Sequence, residues 1–222
     1  MRALYCFAKK DRLRFVSHLD LQRFMQRALN RTSLNIAYSN GFNPHPILSF
    51  ASALAMGWTS DYELFDVKFA SPVTEEVALA EMQAALPPDL PILSVRLVED
   101  NHPALMGKLV MADYEIRLSG ESSEEVCAAI DTFLAQESVI ALRKTKSGEK
   151  PTDIRPMARI LEKRPYGIFA RLMLTEKETL KPDLLVNTLA SMANVSAPEM
   201  RVHRLMLLGE DAGGNAIPLQ EV

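Results

Sequence analysis

Arg23, Arg27 and Arg31 stand four residues apart, with His18 before them and His45 after. That spacing puts the three arginines on one face of a helix. Guanidinium groups in such a row suit phosphate oxygens, which each can grip with two parallel hydrogen bonds. No acidic residue lies four places before or after any of them, and Arg12 and Arg14 extend the basic run upstream. His18 falls at the first helical position, where the positive end of the helix dipole disfavours protonation. A neutral imidazole there can contact a phosphate or a base, or move a proton. His45 belongs to Gly41-Phe-Asn-Pro-His-Pro46. Pro44 restricts Asn43 and Pro46 restricts His45, so both polar residues are pushed to extended backbone, and Gly41 allows the turn. Ordering a polar side chain in advance lowers the entropic cost of binding.

A second basic segment runs from Arg143 to Arg164 and carries Lys144, Lys146, Arg155 and Arg159. Pro156 predicts a short helix with Arg159 one turn beyond Arg155. The candidate RNA-binding residues are therefore Arg14, His18, Arg23, Arg27, Arg31, Asn43, His45, Lys144, Lys146, Arg155 and Arg159. The competing reading of each is plain: a solvated helix face, a histidine packed beside its cap, or a connecting loop.

The elements that must position these groups are legible as alternating patterns. Arg2–Ala8 reads as a strand. Ser17 caps a helix, with Asp20 able to reach back as in a capping box and Leu21, Phe24, Met25, Ala28 and Leu29 at helical spacing. Ile47–Met56 and Tyr62–Phe69 read as strands, Thr74 caps a second helix that Pro87-Pro88 stops, and Ile92–Val98 is a strand. The second half repeats the order: a strand over Ala112–Ser119, and a helix with Ser122 and Glu125 as a capping box. Strands over Val139–Arg143 and Gly167–Thr175 follow, then a helix from Pro182 and a strand over Arg201–Leu208. The expectation is an α+β protein of two ferredoxin-like (βαββαβ) domains in tandem, over residues 1–104 and 105–209, with a flexible tail over 210–222. Tyr5, Phe7, Phe65 and Phe69 are read as core in preference to a base-stacking platform.

The net charge of −3 hides a segregation. Residues 1–50 and 143–171 are basic, whereas residues 51–142 are acidic, which predicts a polarised surface. A pI near 5.9 restricts any nucleic-acid contact to local patches. Two cysteines in apolar segments read as core residues of a reducing compartment, so the cytoplasm is the expected location. No stretch is apolar enough for a membrane span, and the short apolar start has its charge on the wrong side for a signal peptide. Dispersed histidines without CxxC give no zinc spacing, and no phosphate-binding glycine motif, GxSxG or three-cysteine cluster is present. No cofactor and no metal are expected.

Arg14-Phe-Val-Ser-His-Leu-Asp20, the arginines that follow it and Gly-Phe-Asn-Pro-His-Pro together resemble the radical-SAM-linked protein family. Ser49-Phe-Ala-Ser-Ala-Leu, Gly57 and Asp153-Ile-Arg-Pro fit the same resemblance. It implies a domain found beside or fused to a radical-SAM protein, hence a partner that carries the cluster this chain lacks. The first functional reading is an accessory, non-catalytic RNA-binding protein, for tRNA or rRNA, acting with that partner. The alternatives are a metal-independent RNA-processing enzyme using His18 or His45, and a protein–protein adaptor that meets a basic partner through the acidic middle block.

Overall fold

The computed structural model describes residues 1–145 and 148–222. Among these, five α-helices accompany strands that pair mostly antiparallel, a mixed α+β architecture. The chain divides into two compact units, residues 1–109 with 206–222, and residues 110–205.

Unit 1 begins with β1 (Arg2–Lys9), almost wholly buried on both faces, followed by a 3-10 turn over Asp11–Phe15 and by α1 (His18–Leu29). Then come β2 (Leu48–Phe50), β3 (Thr59–Lys68), α2 (Glu75–Ala85), β4 (Ile92–Val98) and the short α3 (Leu105–Lys108). The strand order is β4-β1-β3, with β2 paired to β3. Of the strand expected over Ile47–Met56, three residues form β2, and the Ala51 N–H adds a bond to the Leu64 carbonyl at 2.9 Å before the chain leaves β3. Tyr5 stacks on Phe65 with centroids 4.9 Å apart, and Phe7 meets Phe50 and Phe65 edge-on. Leu21, Met25, Ala28 and Leu29 of α1 and Met82 of α2 join this core. The aromatic residues of β1 and β3 are therefore interior, each worth about 1.5–3 kcal/mol of burial.

Unit 2 contains β5 (Met111–Ser119), α4 (Ser123–Leu134), β6 (Ile140–Thr145), β7 (Gly148–Asp153), β8 (Ala158–Arg164), β9 (Gly167–Met173) and α5 (Pro182–Met192). Strands β5, β9 and β8 lie side by side, and β6 with β7 forms a separate hairpin. The short helix expected at Pro156 does not form. Residues 158–164 are a strand instead, paired along β9, because a pairing partner outweighs the weak local signal of one proline. The turn joining them needs Gly167, at φ +135°, where a Cβ would lie 2.4 Å from the Ile116 carbonyl oxygen. The Ser122 hydroxyl makes no capping bond; it donates to the Ser196 carbonyl at 2.8 Å.

β10 (Glu199–Glu210) crosses the boundary between the units, and β11 (Ala216–Pro218) pairs back onto it. Where the sequence suggests a frayed tail from residue 210, the chain is held. Leu219 is buried, and Gln220 donates from Nε2 to the Leu4 carbonyl at 2.9 Å and from its backbone N–H to the Tyr62 hydroxyl at 3.2 Å. A sequence rich in glycine and aspartate gives no hint of those distant partners.

Candidate functional site

Helix α1 starts where the sequence places it. The Ser17 hydroxyl oxygen accepts the Asp20 backbone N–H at 3.2 Å and gives its own proton to the Asp20 carboxylate at 2.7 Å. The capping pair is therefore closed side chain to side chain. Leu19, Arg23 and Arg27 follow one another at steps of four and are exposed. Arg23 lies 3.5 Å from Asp20, a surface pair worth at most about 1 kcal/mol. Arg27 is exposed on the same stripe.

Arg31 is already engaged. Its Nη2 donates to the Ala85 carbonyl at 2.8 Å, satisfying an orphan acceptor at the end of α2, and its guanidinium lies over Phe24 at 5.9 Å. Arg14 sits in the 3-10 turn, donating to the Asp11 carbonyl at 3.2 Å and lying 4.5 Å over the Phe15 ring. His18 packs edge-on against Phe50, with centroids 5.1 Å apart. Burial, then the nearby Lys9 ammonium, lowers its pKa below the ordinary value. The sequence expectation of a neutral His18 thus agrees in direction, but its causes are desolvation and a lysine.

That lysine is wholly buried, its Nζ donating to the Val16 carbonyl at 2.9 Å. Burial lowers the Lys9 pKa and the buried Glu63 carboxylate acts against it. The register of β1 on β3 sets Lys9 opposite Ser60 and Phe7 opposite Glu63, and the Val16 contact holds the ammonium just ahead of α1. Sequence reasoning counts both charges as surface.

The loop stands at the other end of the helix. The Tyr38 hydroxyl donates to Asn30 Oδ1 at 2.6 Å, tying the loop's root to the C-cap of α1. Tyr38 and Pro46 form a β-bridge, and the Ser39 N–H donates to the His45 carbonyl at 2.9 Å. The Ser39 hydroxyl oxygen accepts the His45 N–H at 3.2 Å and lies 3.0 Å from His45 Nδ1. Gly41 has φ +125°, a left-handed backbone suited to glycine. Asn43 and His45 are exposed, and Phe42 is entirely so, whereas Pro46 is buried. The Tyr38–Asn30 bond thus ties the root of the loop that carries Asn43 and His45 to the end of α1 that carries Arg27 and leads into Arg31. Arg14 and His18 lie at its other end, about 18 Å away for a helix of this length.

In unit 2, Lys144 is exposed on β6 and Arg159 on β8, while Lys146 lies outside the described residues. Arg155 is half-buried. Its Nη2 donates to the Leu134 carbonyl at the end of α4 at 3.0 Å, and it lies over the Phe133 ring at 5.8 Å. The Asp153 carboxylate accepts the backbone N–H groups of Val139 at 2.9 Å and Arg155 at 3.1 Å, which holds its pKa below the ordinary range. Asp153-Ile-Arg-Pro is thus an anchor of the hairpin's base. The hairpin itself exposes Ile140 and Leu142, with Leu142 paired to the exposed Pro151.

Two features escaped the sequence reading. Phe42 was counted only as part of a motif, and no local pattern announces a phenylalanine held in water. Phe15, Leu19 and Met56 are each more than half exposed. The Gly57 N–H donates to the Arg14 carbonyl at 2.7 Å, drawing the turn that carries Met56 to the segment that carries Phe15. Among the described residues, no group of three or more His, Cys, Asp or Glu side chains is placed to hold a metal ion. No helix among them is long and apolar enough to cross a membrane.

The bacterial family described as "Uncharacterized protein conserved in bacteria (DUF2344)" matches this chain over residues 2–182. No curated protein matches it.

Proposed function

The chain belongs to the family described as an uncharacterized protein conserved in bacteria (DUF2344), and we propose that it serves as an accessory RNA-binding protein. Unit 1 engages single-stranded RNA through the Gly41–Pro46 loop and the exposed arginine stripe of α1. One observation carries this reading: Phe42 is wholly exposed at the tip of a loop that Ser39 and His45 hold closed. Leaving a phenylalanine in water forgoes about 1.5–3 kcal/mol of burial. A flat, unstacked base is the partner such a ring suits, with arginines nearby for phosphates and polar groups for base edges.

Each unit is read as a ferredoxin-like domain; the order β4-β1-β3-β2 in unit 1 supports this, and in unit 2 the β6–β7 hairpin becomes an insertion. The resemblance to radical-SAM-linked proteins adds a radical-SAM partner to the proposal, for which the RNA would be held.

Fluorescence anisotropy of a labelled octauridylate, titrated with protein at several salt concentrations, tests the reading. Binding is expected to weaken with salt by a log–log slope of roughly −0.7 per phosphate contacted. Affinity that ignores salt, or that survives Phe42→Ala unchanged, removes it.

A second reading, docking of a protein partner, is favoured by Phe15, Leu19 and Met56, an exposed apolar group of the kind found at interfaces. It predicts that a Phe15→Ser, Met56→Ser double variant loses a nuclease-resistant partner while keeping its RNA affinity.

A further inference from the structure

The Ser39–His45 contact fixes more than the shape of the loop. The Ser39 hydroxyl has one hydrogen, and its oxygen already accepts the His45 backbone N–H. In the tautomer that leaves Nδ1 bare, that hydrogen goes to His45 Nδ1, 3.0 Å away. The Asn43 carbonyl also approaches Nδ1, at 3.4 Å, and would draw the opposite tautomer. Hydrogen bonds of this type weaken beyond about 3.2 Å, so the Asn43 pull is the weaker of the two, and the serine hydroxyl is taken as donor to Nδ1. With Nδ1 accepting, a neutral ring carries its hydrogen on Nε2. An exposed imidazole held this way is a donor of fixed identity, three residues from an exposed aromatic ring.

Resting on the RNA-binding reading of the same loop, we infer that it selects oxo bases: a base stacked on Phe42 meets His45 Nε2–H with its carbonyl. Uracil O4 and guanine O6 accept a hydrogen bond there. Cytosine and adenine carry amino groups at the same positions, so donor faces donor and both lose their water partners. Ser39 is the positioning residue. It touches no base and acts by holding the proton on the far side of the His45 ring.

The test uses the full chain at pH 8, above the ordinary imidazole pKa. Two-bond proton–nitrogen spectra of histidine-labelled protein report which ring nitrogen carries the hydrogen. The expected result is a protonated Nε2 and a bare Nδ1 at His45. Ser39→Ala gives a tautomer mixture at His45 and leaves the other three histidines unmoved, and Ser39→Thr restores the wild-type pattern. Labelled octauridylate and octacytidylate, equal in length and charge, then report the selectivity. The uracil probe binds on the order of tenfold more tightly, a single lost and unreplaced hydrogen bond. Ser39→Ala brings the ratio towards one without altering the salt slope, which shows that the phosphate contacts and the fold persist. A hydrogen on Nδ1 in the wild type overturns the inference. Equal affinity for the two octamers overturns it as well, while leaving RNA binding intact. Failure of both octamers to bind removes the inference together with the reading beneath it.

Discussion

The loop of unit 1 and the basic hairpin of unit 2 look alike as sequence: each is proline-containing, polar and associated with a row of basic residues. Their construction is opposite. In the loop, backbone and serine contacts hold the chain closed and leave aromatic and polar side chains in water. At the hairpin's base the polar groups are consumed by structure: Arg155 serves a helix carbonyl and Asp153 serves two amides. What the hairpin leaves exposed is partly apolar, Ile140 and Leu142. A basic side chain is a candidate for ligand contact only after its local duties are counted, and by that measure Arg27 and Arg155 belong to different classes.

The sharpest way to break the contrast is Arg155→Ala. It removes a charged donor from a helix end and packing from Phe133, and should cost unit 2 about 2–3 kcal/mol in urea unfolding. RNA affinity should not change; a loss of RNA binding with stability intact would merge the two regions again. Phe42→Ala should do the reverse, weakening octauridylate binding by about 1–3 kcal/mol with no shift in the unfolding midpoint. Arg27→Ala comes next. Its expected effect is a salt slope smaller in magnitude by about 0.7, read from the same anisotropy titrations.

The smallest effect concerns His18, whose folded pKa lies below its ordinary value of 6.5. Below pH 6.5 the unfolded chain takes up a proton there that the folded chain resists, so stability falls as pH falls through that window. Above it the contribution is flat. Urea midpoints at pH 7.5 and 5.5 should differ in the wild type, and the difference should shrink in His18→Gln.

Helix α1 was readable because its cap and its apolar spacing are local signals, and the structure has the Ser17 cap and a helix over His18–Leu29. The strand over 158–164 was not, because Arg-Ile-Leu-Glu-Lys-Arg has no clear alternation and owes its form to β9. Lys9 and Glu63 were invisible for a related reason: charge is read as surface until a pairing register places it inside. The loop stood between these cases. Its prolines and Gly41 marked it as rigid, yet Ser39, which closes it, lay outside the motif and was passed over. Arg31 could be put on the right helix face, but not known to be committed to Ala85.

The contacts of Gln220 with Leu4 and Tyr62 bear on how the protein is made. Residues 206–222 complete unit 1, but the ribosome reaches them only after about a hundred residues of unit 2. At typical synthesis rates that is a delay of roughly 5–20 s. Unit 2, continuous in the chain, can close as soon as it emerges. Unit 1 must hold β1 and β3 open at that seam until the returning segment arrives, a long-range closure of the sort that slows folding. During that interval the Leu4 carbonyl and the Tyr62 hydroxyl wait without the Gln220 partners that later engage them.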